Sequence, residues 1–591
     1  YIYLVYTLYP CLDWVFEPTF ITHKLRGNIL EINNIRKNNK VYIRILSDDE
    51  KMSVKLEENK MFPSIETYCE HSKSRIYYVS SQDYDFIKSI NMLNIPVLKE
   101  QSINRFVNPN NITTLSKHRT FDLLNNFLTY QILSSRINAR AGYYQVGGAI
   151  GFRDQLQDCL AFSNSQEIIK NQIIEACMHQ YEEGDVMHWW HPPQFGLRTR
   201  ITDDRMFLPY VVSEYLELSK NMKFLEHNIP YLHSTPLYPN EDTRLENPPH
   251  TTYTESVYKH CIRAIKSSLK YGEHGLLMMG AGDWNDGMDY ACKEGKGESV
   301  FNSMFACYVI NKFAIYCNET TQNELMKISQ ELKDNINKHC FDTDRYMRLF
   351  TDDGRWLGNA RSNTLQLDLL VQSFAVISGV ADEERSNIIL NTAKQLIDEN
   401  SGIIKLLTPP LDKSEYLGYI SSYPKGIREN GGQYTHSAMW YLIALVKAGR
   451  KDEAFRLYQM INPVEKGTDR YKYAKYKGEP YVLCGDIYSN PQQNGRSGWS
   501  WYTGSASWAY RLATEYFYGL KRRGKKLYIY PELPKELLDS VVYYNYSDNS
   551  TYKITYKDGN SLAVYQDGIL CQDNCIILEE NKRSEVTVNI N

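Results

Sequence analysis

Three aspartates stand three residues apart in Gly280-Ala-Gly-Asp-Trp-Asn-Asp-Gly-Met-Asp289, with Trp284 and Asn285 between the first two. Glycines at 280, 282 and 287 break a helix on either side, so the stretch reads as a loop leaving the short apolar run 273–279. The combination suits sugar chemistry. A tryptophan face stacks on the C–H face of a pyranose, carboxylates accept its hydroxyl protons, and one carboxyl kept protonated hands a proton to a glycosidic oxygen. The same residues would also make a solvated acidic turn or a cation loop. An EF-hand is excluded, because the acidic run is too short and no Glu closes it at the twelfth position.

Four other loops carry residues of matching chemistry. In Tyr143 to Asp158, glycines at 147, 148 and 151 precede Arg153 and Asp154 at a helix start. Such a turn can cradle a phosphate through backbone N–H groups. It lacks the Lys-Ser/Thr of a P-loop and no strand precedes it, which argues against a nucleotide; Arg153 and Asp154 would equally form a structural pair. Asp185 to Pro193 holds His188 and His191, followed by Asp203 and Asp204. The spacing of the histidines suits metal on a helix, but Pro192 and Pro193 argue against a helix, and no metal site is expected. Tyr423 to His436 packs Lys425, Arg428, Glu429, Gln433 and His436 into one loop and the first turn of a helix. Asn494 to Ser505 ends in Thr503-Gly504-Ser505, whose donors at a helix start suit an anion. Seven of the nine tryptophans (189, 190, 284, 440, 499, 501 and 508) lie in or beside these loops, which favours a sugar-binding cleft over core packing.

The positioning elements are mostly helices. After β-like runs such as 41–46, 51–56 and 74–79, and a linker over 108–114, a helix is expected from Phe121 to Ala141, with Arg136 and Arg140 in its last turn where the helix dipole favours cations. Helical segments then recur near 153–161, 166–180, 203–219, 251–271, 299–316, 321–338, 366–379, 382–399, 433–448, 452–461 and 505–520, with few strand runs between them. A dozen helices joined by long loops implies an α/α toroid whose loops at one end build a pocket; a solenoid would show an internal repeat, and none is found. From about 524 the chain turns β again, with Asp-Gly turns at 558–559 and 567–568.

Composition narrows the classes. The chain has 591 residues, too many for one core. Sixty-seven basic and 70 acidic residues leave a net charge of −3, so nothing points to a nucleic-acid partner. The 47 tyrosines suit both core packing and a carbohydrate binder. Twelve cysteines without zinc spacing are read as free thiols in a reducing, cytoplasmic setting. No apolar run is long enough to cross a membrane, and the apolar opening 1–9 is too short for a signal peptide. The chain lacks an initiator methionine and is expected to start inside a larger protein.

Taken together, Gly151-Phe-Arg-Asp-Gln-Leu-Gln-Asp158, His188-Trp-Trp-His-Pro-Pro193, Gly282 to Met288, Gly295 to Val300, Gly426 to His436 and Trp501 to Ser505 resemble the phosphorylases of glycoside hydrolase family 94. The match runs from about 113 to 530 and is closest to 1,2-β-oligoglucan phosphorylases and the carboxy-terminal domain of cyclic β-1,2-glucan synthases. The resemblance implies a mainly α protein: an (α/α)6 barrel over 143–523, an N-terminal β-sandwich-like region over 1–108, a helical linker over 109–142 and a C-terminal β domain over 524–591. The N-terminal region is shorter than the family's sandwich. The resemblance implies inverting phosphorolysis to α-glucose 1-phosphate, with Asp286 as catalytic acid, His436, Thr503 and Gly504 as phosphate ligands, and Arg153, Asp154 and Trp284 around the glucose. Glu429 and Gln433 match positions on the acceptor side, and Asp203, Asp204, Asp283 and Arg428 are counted with the substrate-binding set. Asn363 to Leu370 stands where relatives carry a Glu-Cys-Lys/Arg-Ile-Asp run; Asp368 is kept and the glutamate is not.

The chemistry fits the residues. An inverting hydrolase needs an acid and a base, whereas a phosphorylase needs only the acid, because phosphate is already a nucleophile. Asp286 is then expected to have a raised pKa, from burial and from the neighbouring Asp283. Inorganic phosphate would be the co-substrate, an oligosaccharide its partner, no further cofactor is expected, and the chain would be a monomer or homodimer. The alternatives are a phosphorylase of cellobiose, laminaribiose or chitobiose type, an inverting hydrolase using Glu429 as base, and an inactive sugar-binding domain of a larger synthase.

Overall fold

The computed structural model describes residues 4–8, 21–34, 39–57, 64–69, 75–98, 112–138, 149–191, 193–547 and 549–590. These fall into two compact units, 4–98 and 112–590. Tyr143, Gly147, Gly148, Arg140 and Ala141 lie outside the described residues.

The first unit holds two antiparallel sheets. One orders Leu4–Leu8, Ser64–Cys69 and Ser53–Glu57; the other orders Ile21–Arg26, Ile29–Asn34, Asn39–Ser47 and Ile76–Ser81. Strand alternation explains its two cores. Leu30, Ile32 and Ile45 meet Ile65 of the other sheet, while their neighbours Ile29 and Leu46 point the opposite way onto Ile87, Ile90 and Ile95.

The second unit is built on twelve helices: α1 Arg119–Ile132, α2 Phe152–Cys159, α3 Gln166–Met178, α4 Phe207–Ser219, α5 Val257–Ser268, α6 Val300–Phe313, α7 Glu319–His339, α8 Leu369–Ile377, α9 Glu383–Thr392, α10 Thr435–Lys447, α11 Lys451–Ile461 and α12 Ser505–Arg511. The even-numbered helices touch in succession, α2 to α4 to α6 to α8 to α10 to α12, and α12 returns to α2. Odd-numbered helices pack on them: α3 on α2 and α4, α5 on α4, α7 on α6, α9 on α8, α11 on α10 and α1 on α12. The sequences fit these places. Every residue of α8 is buried, as a helix apolar all round requires, whereas α7 buries only the stripe Leu325, Ser329, Leu332 and Ile336.

Several boundaries differ from the sequence reading. The segment 251–256 is extended, in the strand His250–Ser256 paired with Asn228–Leu232, because its threonines and Tyr253 favour a strand until Ser256 caps the helix by accepting from Lys259 N. Helices α1 and α12 end in π turns, Leu133–Ile137 and Leu512–Phe517. Short helices Pro463–Gly467 and Arg470–Tyr476 occupy a stretch read as loop. Strands between the helices are more frequent than expected: Met187–His191 and Phe195–Thr199 sit in a four-stranded sheet with Thr243–Glu246 and Ile150–Gly151, so His188 and His191 lie on a strand.

The C-terminal six-stranded sheet orders Ile569–Leu570, Ala563–Gln566, Arg583–Ile590, Ser550–Asp558, Val541–Ser547 and Ile112–Leu115. Its edge strand thus comes from the stretch read as a linker. Tyr556 donates its hydroxyl to the Tyr518 carbonyl at 2.7 Å, holding the sheet to the end of the helical region. The described cysteines are all free, and no described helix is long and apolar enough to cross a membrane.

Aromatic rings fill the space inside the even-numbered helices. Phe374 lies 4.9 Å from Phe301 and 4.7 Å from Trp440, and Trp440 lies 4.4 Å from His436. The tryptophan clustering is therefore in good part core packing: Trp190, Trp440 and Trp508 are buried, and Trp284 is only 7% exposed. Phe374→Ala should leave a void between Phe301, Phe305 and Trp440 and lower stability by about 3–5 kcal/mol, read as a fall in the chemical-denaturation midpoint; a loss below about 1 kcal/mol would mean the cluster collapses freely into the gap.

Candidate active site

The candidate residues gather where the even-numbered helices begin. Arg153 and Asp154 are in the first turn of α2, Asp203 and Asp204 precede α4, Asp368 caps α8, His436 opens α10, and Thr503 and Gly504 precede α12. Side chains join these starts to one another. Arg153 reaches from α2 to Asp203, Arg348 reaches Asp368, and Gly504 abuts His436. Helix N-termini carry partial positive charge, so this end favours carboxylates and a bound anion.

Arg153 organises the acid side. Its Nη1 donates to both Asp203 oxygens, at 2.8 and 3.0 Å, and to the Asp283 carbonyl at 3.2 Å. Its Nη2 donates to Asp286 Oδ1 at 2.6 Å, and its Nε lies 3.6 Å from Asp204 Oδ1. His188 stands between the two remaining carboxylates, with Nδ1 2.7 Å from Asp204 and Nε2 3.5 Å from Asp286 Oδ2. The Asp203 and Asp204 side chains are enclosed, while that of Asp286 is 28% exposed. Of this set, Asp286 is the carboxylate a substrate can reach.

The electrostatics reverse the expectation for Asp286. Burial alone would raise its pKa, but Arg153 and His188 outweigh burial and hold it down to about 2. Burial, only partly offset by Arg153, pushes Asp203 up to about 8. Burial disfavours the His188 imidazolium, yet Asp204 and Asp286 outweigh it and lift its pKa well above the ordinary value.

Asp283 does not act on its neighbour. It is fully buried and faces away: Arg348 donates to it at 2.6 and 2.7 Å, and the Ser299 hydroxyl at 2.6 Å. Arg348 also holds Asp368, Nε to Oδ2, at 3.1 Å. The expected substrate contact is thus a structural brace between the Asp286 loop and the starts of α6 and α8. Trp284, expected as a sugar platform, is wedged edge-on against Tyr434 at 5.5 Å and His436 at 5.3 Å.

On the other side, a Cβ built on Gly504 would lie 3.1 Å from His436 Nδ1 and 3.6 Å from Arg136 Nη2. Any side chain at 504 would crowd those two groups; the adjacent Thr503 hydroxyl meets Ser505 Oγ at 2.8 Å. Burial, with Arg136 acting in the same direction, lowers the pKa of His436 to about 3, so the ring is neutral; its Nε2 is buried without a hydrogen-bond partner. Arg136 is held by Asp158 and by Asp154 at 3.0 Å, and lies 4.0 Å over the Tyr502 ring. Reading Arg136 as a dipole-stabilising cation missed this place. The signal was its four-residue spacing from the apolar positions Leu128 and Ile132.

Side-chain packing and hydrogen bonds tie down the 423–436 loop. Arg428 adopts φ +51° and stacks over Trp499 at 4.1 Å and Tyr423 at 4.8 Å, with its Nε 3.2 Å from Glu429. Burial raises the Glu429 pKa against the pull of Arg428. Gln433 is fully buried: its side-chain oxygen accepts from Ile404 N at 2.9 Å and its Nε2 donates to Thr435 at 3.2 Å, so it shapes the loop and does not reach a ligand. At the altered 363–370 run, Thr364 Oγ1 donates to Glu415, which Arg355 also approaches at 3.4 Å. Among the described residues no group of three or more His, Cys, Asp or Glu side chains is arranged to hold a metal ion.

Asp283→Asn should leave the buried Arg348 charge paired only by Asp368 and destabilise the protein by about 3–5 kcal/mol. Thermal unfolding checks this, and a melting point equal to that of the parent would remove the brace from the account.

Residues 109–519 match the family model described as glycosyl hydrolase 94 superfamily, catalytic domain. The cyclic beta-(1,2)-glucan synthase NdvB of Rhizobium meliloti (strain 1021) is 38% identical over 423 residues, 70% of this chain and 15% of its own length. The solabiose phosphorylase of Paenibacillus borealis is 28% identical over 420 residues, 69% of this chain and 51% of its own. The 1,2-beta-oligoglucan phosphorylase of Listeria innocua serovar 6a is 22% identical over 463 residues, 71% and 41% respectively. The chain thus spans about half or less of these relatives' lengths. With the family model matched over more than half of its residues, the chain belongs to the glycosyl hydrolase 94 superfamily.

Proposed function

We propose that this chain is an inverting glycoside phosphorylase acting on β-1,2-linked gluco-oligosaccharides, releasing α-glucose 1-phosphate and a shortened glucan. In this reading the closed succession of even-numbered helices and their outer partners is an (α/α)6 barrel, and the helix starts form its catalytic end. The observation that carries the reading is the pair of unlike clusters at the helix starts. One holds a reachable carboxylate, Asp286, and the other holds His436 and Arg136 beside Gly504, with Trp284, two residues before Asp286, packed edge-on against His436.

The pair suits attack by an anion on one face of a sugar while the opposite face loses its protonated leaving oxygen. Asp286 is the acid, and Arg153 sets its orientation. The buried neutral His436 can donate to phosphate, and a bound dianion would favour its protonation. Arg136 supplies a guanidinium donor, held in place by Asp154 and Asp158. Glu429 and the stacked Arg428 line the acceptor side. Inorganic phosphate is the co-substrate, and no other cofactor is proposed. The β-1,2 linkage rests on the names of the synthase and oligoglucan phosphorylase relatives and on the loop resemblance.

The purified chain, given β-1,2-gluco-oligosaccharides, should release glucose 1-phosphate only when phosphate is present. Asp286→Asn should lower this turnover about 10²–10⁴-fold while glucan binding survives, since an amide keeps the shape but donates no acidic proton. Sugar release without phosphate would point to hydrolysis with Glu429 as base. Faster turnover of cellobiose or laminaribiose would overturn the linkage alone.

His436→Ala and Thr503→Val should each raise the Michaelis constant for phosphate roughly ten- to a hundredfold, the effect of losing a hydrogen bond to a charged group worth about 1.5–3 kcal/mol. The constant for the glucan should change far less. Equal changes for both substrates would assign these residues a structural role.

A further inference from the structure

Asp286 poses a problem as an acid. Arg153 and His188 hold it as a carboxylate, and a carboxylate has no proton to give. Arg153 occupies Oδ1. Toward Oδ2 points a ring nitrogen, His188 Nε2, at 3.5 Å. Its other nitrogen, Nδ1, meets Asp204 at 2.7 Å, a distance that requires the Nδ1–H, so any second ring proton sits on Nε2 and faces Asp286.

We propose that His188 stores the acid proton of the reaction and passes it through Asp286 to the glycosidic oxygen, with Asp204 holding the imidazole in line. The inference rests on the phosphorylase reading above. The charged groups around His188 are Asp204 from the turn before α4, Asp286 from its own loop and Asp154 from α2, with Arg153 behind the first two. Three carboxylates around one imidazole keep it charged at neutral pH despite burial, with its pKa well above the ordinary value.

The step balances. As the bond from the anomeric carbon to the leaving oxygen breaks, that oxygen takes the proton from Asp286, and Asp286 takes the Nε2 proton of His188, leaving a neutral imidazole. An oxygen of hydrogen phosphate dianion forms the new bond to the anomeric carbon. The sugar phosphate is first a monoanion; it then releases its remaining proton to water, and His188 takes one up. Neither proton nor charge is left over, and no reductant or oxidant is needed. A two-membered acid also reconciles conflicting demands. Asp286 must be ionised to hold Arg153 in place, yet the leaving oxygen must be protonated.

The test is the pH profile of kcat for phosphorolysis of a β-1,2-glucan by the full chain. In the parent, kcat should fall on the alkaline side as the His188–Asp286 pair loses its shared proton. His188→Gln should leave both Michaelis constants within about threefold, lower kcat at neutral pH about 10²–10⁴-fold, and move the alkaline limb to lower pH, because Asp286 alone, still beside Arg153, keeps a proton only in acid. Asp204→Asn should move the limb the same way by weakening the imidazolium, and carries the test if His188→Gln does not fold. An equal loss at every pH with the limb in place, or near-normal turnover, overturns the relay. A parent protein that forms no glucose 1-phosphate overturns the phosphorylase reading instead, so the two failures are distinct.

Discussion

The pairing of the Arg153 guanidinium with Asp203, Asp204 and Asp286 is the interaction on which the catalytic end depends. A buried arginine is tolerable only if its charge is matched and its donors are used. Here the matching groups come from two segments remote from Arg153 itself, so satisfying one side chain fixes the first turn of α2, the turn before α4 and the Asp286 loop against one another. The second brace, Arg348 with Asp283 and Asp368, does the same for the Asp286 loop and the starts of α6 and α8. The two braces meet in one loop. Asp283 accepts Arg348 through its carboxylate and gives its carbonyl to Arg153, which leaves Asp286, three residues on, as the group turned toward solvent.

The electrostatics of the two clusters differ. Around Arg153 and His188 carboxylates outnumber cations, and this protects the imidazolium. Beside Gly504 stand a neutral His436 and the Arg136 guanidinium, the latter paired with Asp154 and Asp158.

How much of this was legible in the sequence depended on what each residue's role required. Helix existence was readable, because inner helices such as 369–377 are apolar all round and outer ones such as 319–339 carry a stripe at the 3–4 spacing. The strand at 250–256 was not, since its pattern runs into the helix without a break until the Ser256 cap. Asp286, His436 and Gly504 were found through motif resemblance. The direction of the Asp286 pKa was misread because the sequence puts Asp283 next door, whereas the fold turns Asp283 inward and brings Arg153 and His188 from more than a hundred and nearly a hundred residues away. Tryptophan clustering misled for a related reason: the candidate loops are also helix starts, and ring-filling residues at 440 and 508 sit one turn from His436 and Gly504.

The aromatic core and the site are therefore one construction. Trp440 follows His436 by one turn of α10, and its ring touches Phe374, Trp284 and His436 together. A histidine seated on packed rings loses most of its solvation, and its proton with it. The same packing buries Nε2 without a hydrogen-bond partner, while Nδ1 lies beside Gly504. Apolar burial at the centre of the helices thus sets the charge state of His436 at their ends. A substitution in the core would be felt at the site through the pKa of His436 even where no atom of the site moves.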